Sequence, residues 1–355
     1  MNYTPCIRIN KRFGTAAIQI LKSWDIYSSD KKIKVENVFL NIPLKRKLSQ
    51  KEFNFLKERF SDIEECFDLF EVRVSRHKNL REVLKDKLSP EELKFVHRSF
   101  DVIGDLAIID IHPNIEHLKQ LIGESLTSIN PSIKGVFIRK SKTSGTFRIR
   151  EVEHVAGCKR TITYHRQYNT ILKVDISNVY FNPKLSSEYK RVADKIKLNE
   201  RVLDMFCGVG PFSILISKQV KSTILSIDLN PYAIKLLKEN IHLNKTKGLV
   251  LPLHSDSGLI LSANSFKNYF DRVIMNLPGQ SLDYLNVACK VVKQFGFIHC
   301  YFFVNGRNPI SDGLNILHKY LNDLHVNLYH VSFSRVVREV APFKWIVVFD
   351  IQLLQ

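Results

Sequence analysis

From about residue 201 onward the chain alternates short apolar runs with helical ones, and that rhythm admits few folds. Strands are predicted over 201–206, 223–229, 249–254, 272–276, 297–304 and 345–353, with helices over 211–220 and 231–243. Strands that look buried on both faces need a layer of helices above and below, so the pattern predicts a parallel, doubly wound α/β sheet. Sheets of this kind bind ligands beyond the carboxyl ends of their strands.

The sharpest local signal lies at the first of these strands. Val202-Leu203-Asp204-Met205-Phe206 runs into Cys207-Gly208-Val209-Gly210, and Pro211 suits the first turn of the following helix. Glycines at such a turn let backbone N–H groups approach a ligand that a Cβ would hold away. Asp228 closes the next strand, at the distance where a carboxylate takes the hydroxyls of a ribose. A nicotinamide dinucleotide is the competing ligand, but its fingerprint requires a third glycine where this chain has Ser213. Asp204 would also repel a pyrophosphate, whereas it suits the cationic aminoacyl end of S-adenosylmethionine. Ser255-Asp256-Ser257 ends a third strand, and a carboxylate with a hydroxyl there can meet an adenine edge. Met275-Asn276-Leu277-Pro278 ends a fourth, where Asn276 offers both a donor and an acceptor.

Upstream, the pattern is of another kind. A helix is predicted over 49–60, opened by the capping-box spacing Ser49-Gln50-Lys51-Glu52. A helical stretch over 79–97 is interrupted at Ser89-Pro90, and strands are predicted over 100–111, 135–139, 147–155, 160–165 and 171–176. This middle region reads as a small α+β domain. Lys and Arg total 53 against 35 Asp and Glu, a formal net charge of +18, which attracts polyanions. Much of the excess gathers between Lys134 and Lys173, where Arg139, Lys140, Arg148, Arg150, Arg160 and Arg166 are opposed locally only by Glu151 and Glu153. Phe147, Tyr164 and Tyr168 stand among them, and this mixture suits phosphates beside unpaired bases. The six cysteines are widely spaced, which predicts neither a zinc site nor a disulfide framework, and fits a reducing cytoplasmic or nuclear compartment. No run of about 18 apolar residues is present, so no membrane span is expected.

With these residues in place, the sequence resembles the archaeal and eukaryotic tRNA (guanine-37-N1)-methyltransferases. The matching stretches are Asp101–Ala107, Phe147-Arg148 with Glu153 and Ala156-Gly157, Val179–Glu188, Asp204–Phe212, Asn276–Pro278 and Val337–Lys344. The resemblance implies a Rossmann-like class I methyltransferase domain (178–355). It is preceded by an α+β tRNA-binding domain (75–177) that grips the anticodon arm and a variable N-terminal domain (1–74) that touches the elbow. It implies S-adenosylmethionine as cofactor, no metal, and a monomer. Carried over by motif, Glu188 is the catalytic glutamate, Arg148 the arginine, Tyr180 the aromatic eight residues before the glutamate, and Asn276 the substrate-loop asparagine. The cofactor contacts map to Tyr189, Asp228, Leu229, Asp256, Ser257 and Asn276, beside the turn residues Asp204 and Gly208. The chain departs from the family at Cys158, where glutamate is usual, at Tyr189, and at Phe343, which replaces a usual polar residue.

These residue types suit one reaction. N1 of neutral guanine carries a proton, and removing it pushes negative charge onto O6. A competent site needs a base near N1 and a donor or cation near O6, the roles expected of Glu188 and Arg148. Two other readings follow from the same half of the chain. One is aminocarboxypropyl transfer, as in the related wyosine-pathway enzyme, whose relatives lack the Arg, Glu and Asn-Leu-Pro combination. The other is a non-catalytic tRNA-binding protein, for which a degraded cofactor turn would be expected.

Overall fold

The computed structural model describes residues 3–60, 62–71, 79–97, 99–140, 149, 151–262 and 264–354. It divides into two compact units, Met1–Lys78 and Asn79–Gln355. No helix among the described residues is long and apolar enough to cross a membrane.

In the first unit four antiparallel strands lie in the order Lys34–Glu36, Phe39–Pro43, Thr4–Asn10, Ile63–Asp68. Helices Gly14–Ser23 and Gln50–Arg59 accompany them, and Ile7, Ile9, Leu21, Ile42 and Leu56 form the core. The capping box is present: Glu52 N–H donates to Ser49 Oγ at 3.3 Å, and Ser49 N–H to Glu52 Oε2 at 2.7 Å. One expectation is overturned here. Cys6 and Cys66 face each other across the two neighbouring strands, Cα atoms 4.9 Å apart, and are joined in a disulfide. Their separation of 60 residues hid the pair, because only strand register brings them together.

The second unit begins with helices Leu80–Leu84 and Pro90–Phe95, the break falling at Ser89-Pro90 as the sequence predicts. A four-stranded sheet follows, in the order Asp101–Ile103, Leu106–Ile109, Gly135–Arg139, Val152–Gly157. The single strand predicted over 100–111 is a tight hairpin instead. Gly104 turns it at φ +58°, where a Cβ would strike Thr163. Of the strand predicted over 147–155, Phe147 and Arg148 lie outside the described residues.

A two-stranded ribbon, Ile162–Gln167 and Thr170–Asp175, comes next. Thr163 Oγ1 and His165 Nδ1 on one strand accept hydrogen bonds from the Asp105 and Gly104 amides, both at 3.1 Å. The other strand pairs with side chains rather than with a third strand. Asn244 and Asn240 each accept from and donate to its backbone at Ile171 and Lys173, with distances of 2.7–3.2 Å. Two asparagines four residues apart share a helical face, so they can cap two alternate positions of an edge strand.

The largest sheet among the described residues has seven strands: β1 (Arg201–Asp204), β2 (Thr223–Asp228), β3 (Leu249–His254), β4 (Phe270–Met275), β5 (Val292–Asn305), β6 (Tyr329–Ala341) and β7 (Lys344–Leu353). Their order is β3-β2-β1-β4-β5-β7-β6. The first five are parallel, but β7 runs antiparallel to β5 and β6 antiparallel to β7, so the expected all-parallel sheet is mixed. The short turn between β6 and β7 forces this, since parallel neighbours need a long crossover. Alternating residues serve two cores: Val202, Tyr301 and Val348 face one side, Leu203, Phe302 and Phe349 the other.

Candidate active site

A cavity of about 740 Å³ opens at the carboxyl ends of β1 to β4, where the topology places ligands in sheets of this kind. The turn after β1 forms its floor. Gly208 and Gly210 adopt φ of +54° and +86°, and Gly210 caps the helix Pro211–Gln219 with Pro211 in its first turn. A Cβ on Gly210 would run into Leu237, which fixes glycine there for packing as well as for backbone reasons. Gly208 N–H donates to Asp228 Oδ2 at 2.7 Å, and Asn230 N–H to Asp228 Oδ1 at 2.8 Å. Burial raises the Asp228 carboxyl above its ordinary value, against the pull of those two amides.

Asp256 caps the short helix Ser257–Leu261 through the amides of Gly258 and Leu259. Ser257 lines the cavity, but its hydroxyl is already committed to Met205 O at 2.6 Å. At the end of β4, Asn276 also lines the cavity, and its buried Oδ1 has no hydrogen-bond partner. Ser281 stiffens the loop behind it, accepting from Leu277 N–H at 3.1 Å and donating to Met275 O at 3.0 Å. The wall continues through Tyr180, Asn182, Phe206, Leu229, Tyr284 and Phe303. A carboxylate and an orphaned amide oxygen both call for donors, which ribose hydroxyls, an adenine amino group and an ammonium supply. The residues therefore fit S-adenosylmethionine.

The structure brings Tyr180, Gly208, Asp228, Leu229, Asp256, Ser257 and Asn276 onto one cavity. Three expected residues are not on its lining. Tyr189 is buried against Phe212 and donates to Asn182 O at 3.1 Å. Asp204 shares the face of Val202, under the helix, and accepts from Ser213 Oγ at 2.8 Å. Glu188, in the first turn of helix Ser186–Ala193, is fully buried in an ionic cluster. Its Oε2 accepts from Arg191 Nε and Tyr301 OH, both at 2.8 Å, while Oε1 lies 2.5 Å from Arg335 Nη2. Arg148 lies outside the described residues.

Burial pushes the Asp204 carboxyl up to about 7. Its folded value exceeds the unfolded one, so between about pH 4 and 7 the folded chain holds the extra proton and stability falls as pH rises through that window. Asp204→Asn cannot ionise and keeps the acceptor for Ser213. Urea midpoints should show the variant gaining on the parent as pH rises from 4 to 8; parallel pH curves would refute the assignment.

The basic cluster is less free than its sequence implied. Arg139 pairs with Asp110 at 2.6 Å and Asp101 at 3.2 Å, Lys140 with Glu153 at 2.7 Å, Lys173 with Glu239 at 2.6 Å, and Arg160 with Asp105. Distant acids offset Arg139, Arg160 and Lys173, and the local Glu153 offsets Lys140, so Arg139 and Lys140 are not the unencumbered phosphate contacts expected of them.

Sequence reasoning gave Arg338 no role, yet it lines the cavity with Val340 and Ile346. A bulge aims it there. Val336 lies opposite Val347 and Arg338 opposite Ile346, with Val337 extra, so Val336 and Arg338 face opposite sides of the sheet. Without that extra residue Arg338 would share the apolar face of Val336. The matched stretch around it was the one signal in the sequence.

Strand order, reversed terminal hairpin and cavity together define an S-adenosylmethionine-dependent methyltransferase with a Rossmann-like catalytic sheet. Residues 163–329 match the TRM5/TYW2 methyltransferase domain, and residues 80–161 the TYW2 N-terminal domain. The chain is 35% identical over 350 residues to the tRNA (guanine(37)-N(1))-methyltransferase Trm5b of Methanocaldococcus jannaschii, covering 98% of both proteins. Among solved structures, wild-type Trm5b from Pyrococcus abyssi superposes with a TM-score of 0.72 at 32% identity, over 98% of this chain and 99% of that one. The complex of aTrm5 with tRNALeu gives 0.68 at 34% identity, over 98% and 99%. The chain belongs to the Trm5 family of tRNA (guanine(37)-N(1))-methyltransferases.

Proposed function

We propose that this protein methylates N1 of the guanosine at position 37 of tRNA, using S-adenosylmethionine. The observation that carries the reading is the cavity itself. It has a ribose-type carboxylate at Asp228 and an orphaned acceptor at Asn276, and it continues into an aromatic, cation-bearing end at Tyr180, Phe303 and Arg338. When bound, S-adenosylmethionine supplies an electrophilic methyl group on a sulfonium. The chain's part is to fix a guanine in line with that carbon, which is chiefly a matter of proximity. Asp228, Leu229 and Asp256 hold the nucleoside end, Asn276 orients the guanine ring, and Tyr180 packs on it. The base must leave its stack to enter, and aromatic contacts offset that cost.

Glu188 accepts the N1 proton and Arg148 steadies O6 in this reading, both on the strength of the family motif. Glu188 is neutralised by Arg191 and Arg335 in the geometry described above, so it serves as a base only after the Arg335 contact opens. The N-terminal unit serves the tRNA elbow and the small α+β region the anticodon arm, as the domain division 1–74, 75–177 and 178–355 implies.

Incubation with methyl-labelled cofactor and a tRNA bearing guanosine 37 should place label on that nucleoside, and an adenosine-37 variant should take none. Mass analysis of the product decides between transfers. A methyl increment supports the reading, and an aminocarboxypropyl increment replaces it with the wyosine-pathway reaction. No increment, with tRNA still bound, leaves a binding protein.

A further inference from the structure

We propose that the turn between β6 and β7 is a stacking platform for the base next to the target guanosine. This rests on the activity proposed above. Phe343 sits at the tip of the turn, 55% exposed, with φ of +57°. An aromatic side chain seldom adopts that backbone region, and such strain persists only where surroundings hold it. Here they do. Gly306 N–H donates to Phe343 O at 2.9 Å, Phe343 N–H donates to Glu339 Oε1 at 3.2 Å, and Trp345 Nε1 pins Gly306 O at 2.9 Å. The ring is therefore presented to solvent by a braced turn.

Charge and position say what covers it. The Arg307 guanidinium lies 5.7 Å from the Phe343 ring centre, and Lys344 Nζ lies 4.8 Å from that of Phe303. Arg307, Lys344 and Arg338 make no ion pair among the described residues. The hairpin that carries Phe343 also sends Arg338, Val340 and Ile346 to the cavity wall, and Phe303 lines the same cavity. An exposed ring on the hairpin that lines the cavity, flanked by cations with no ion pair among the described residues, matches one partner chemistry, an unpaired nucleotide with its phosphate. When the target base turns into the cavity, its neighbour loses a stacking partner, and Phe343 replaces it.

Phe343→Asn is the test, because asparagine tolerates positive φ and removes only the ring. Both proteins are assayed for turnover and for Kd on intact tRNA and on tRNAs made abasic immediately 5′ or 3′ of the target. Stacking of this kind predicts that one abasic tRNA raises the parent's Kd and KM about tenfold. Phe343→Asn should show that weakening on intact tRNA, kcat being little changed, and lose nothing more on the abasic one. Equal affinity of parent and variant for intact tRNA overturns the platform, as do independent, additive losses. A parent that binds with this abasic dependence but transfers no methyl keeps the platform and overturns the activity.

Discussion

Glu188→Gln is expected to lower kcat by roughly two to four orders of magnitude, the range typical of a lost general base, with tRNA affinity retained. The ionic cluster makes this a demanding test. Glu188 is fully buried and held by Arg191, Arg335 and Tyr301, and it is not on the cavity wall. Arg335 is the accessible side of that clamp, its side chain 38% exposed where Arg191 is 12% exposed. Any opening of the clamp would therefore start at Arg335. If Glu188 is instead a brace for helix Ser186–Ala193, Glu188→Gln will lower the melting temperature and cut kcat only modestly. The base assignment would then fall.

Asp350→Ala should cost about 3–5 kcal/mol of folding stability, the scale seen when one partner of a buried ionic group is removed. That corresponds to a fall on the order of 10 °C in melting temperature. Asp350 on β7 accepts from Arg191 at 2.6 and 3.2 Å, from Lys195 at 2.7 Å and from His299 Nδ1 at 2.7 Å. Deletion leaves Arg191 with only Glu188 and Tyr301, frees Lys195 and strands a buried imidazole beside a void. Burial alone would raise the Asp350 carboxyl, but His299 and Arg191 more than reverse this and hold it well below the usual carboxylate range. The stabilisation is thus complete above about pH 4 and is lost as pH falls through the folded value. Burial pushes His299 down, against the pull of Asp350. The unfolded chain then takes its proton first, and stability declines as pH drops below about 6.5. Urea unfolding at pH 7 checks the first figure: a loss under about 1 kcal/mol would mean that the cluster behaves like an exposed pair.

Local chemistry was legible in the sequence wherever it is decided by neighbours along the chain. Ser49 and Glu52 close a capping box because three residues separate them, and Pro231–Leu243 and Leu249–His254 form where predicted because their patterns are unbroken. Gly208, Asp228 and Asn276 follow or end three neighbouring strands of a wound sheet, β1, β2 and β4, so one fold assumption sufficed to place them together. The edge strand β6 was missed, since a half-buried, bulged strand lacks clean alternation.

What the sequence alone determined is the strand–helix rhythm, the glycine turn and the strand-end residues Asp228 and Asn276 on the cavity wall, because each follows from short-range pattern. Tertiary structure decided the rest. Strand register joined Cys6 to Cys66, distant acids neutralised Arg139, one bulge turned Arg338 into the cavity, and β5, β6 and β7 closed an ionic cage on Glu188. Each depends on which residues of remote segments meet, and a linear pattern carries no record of that.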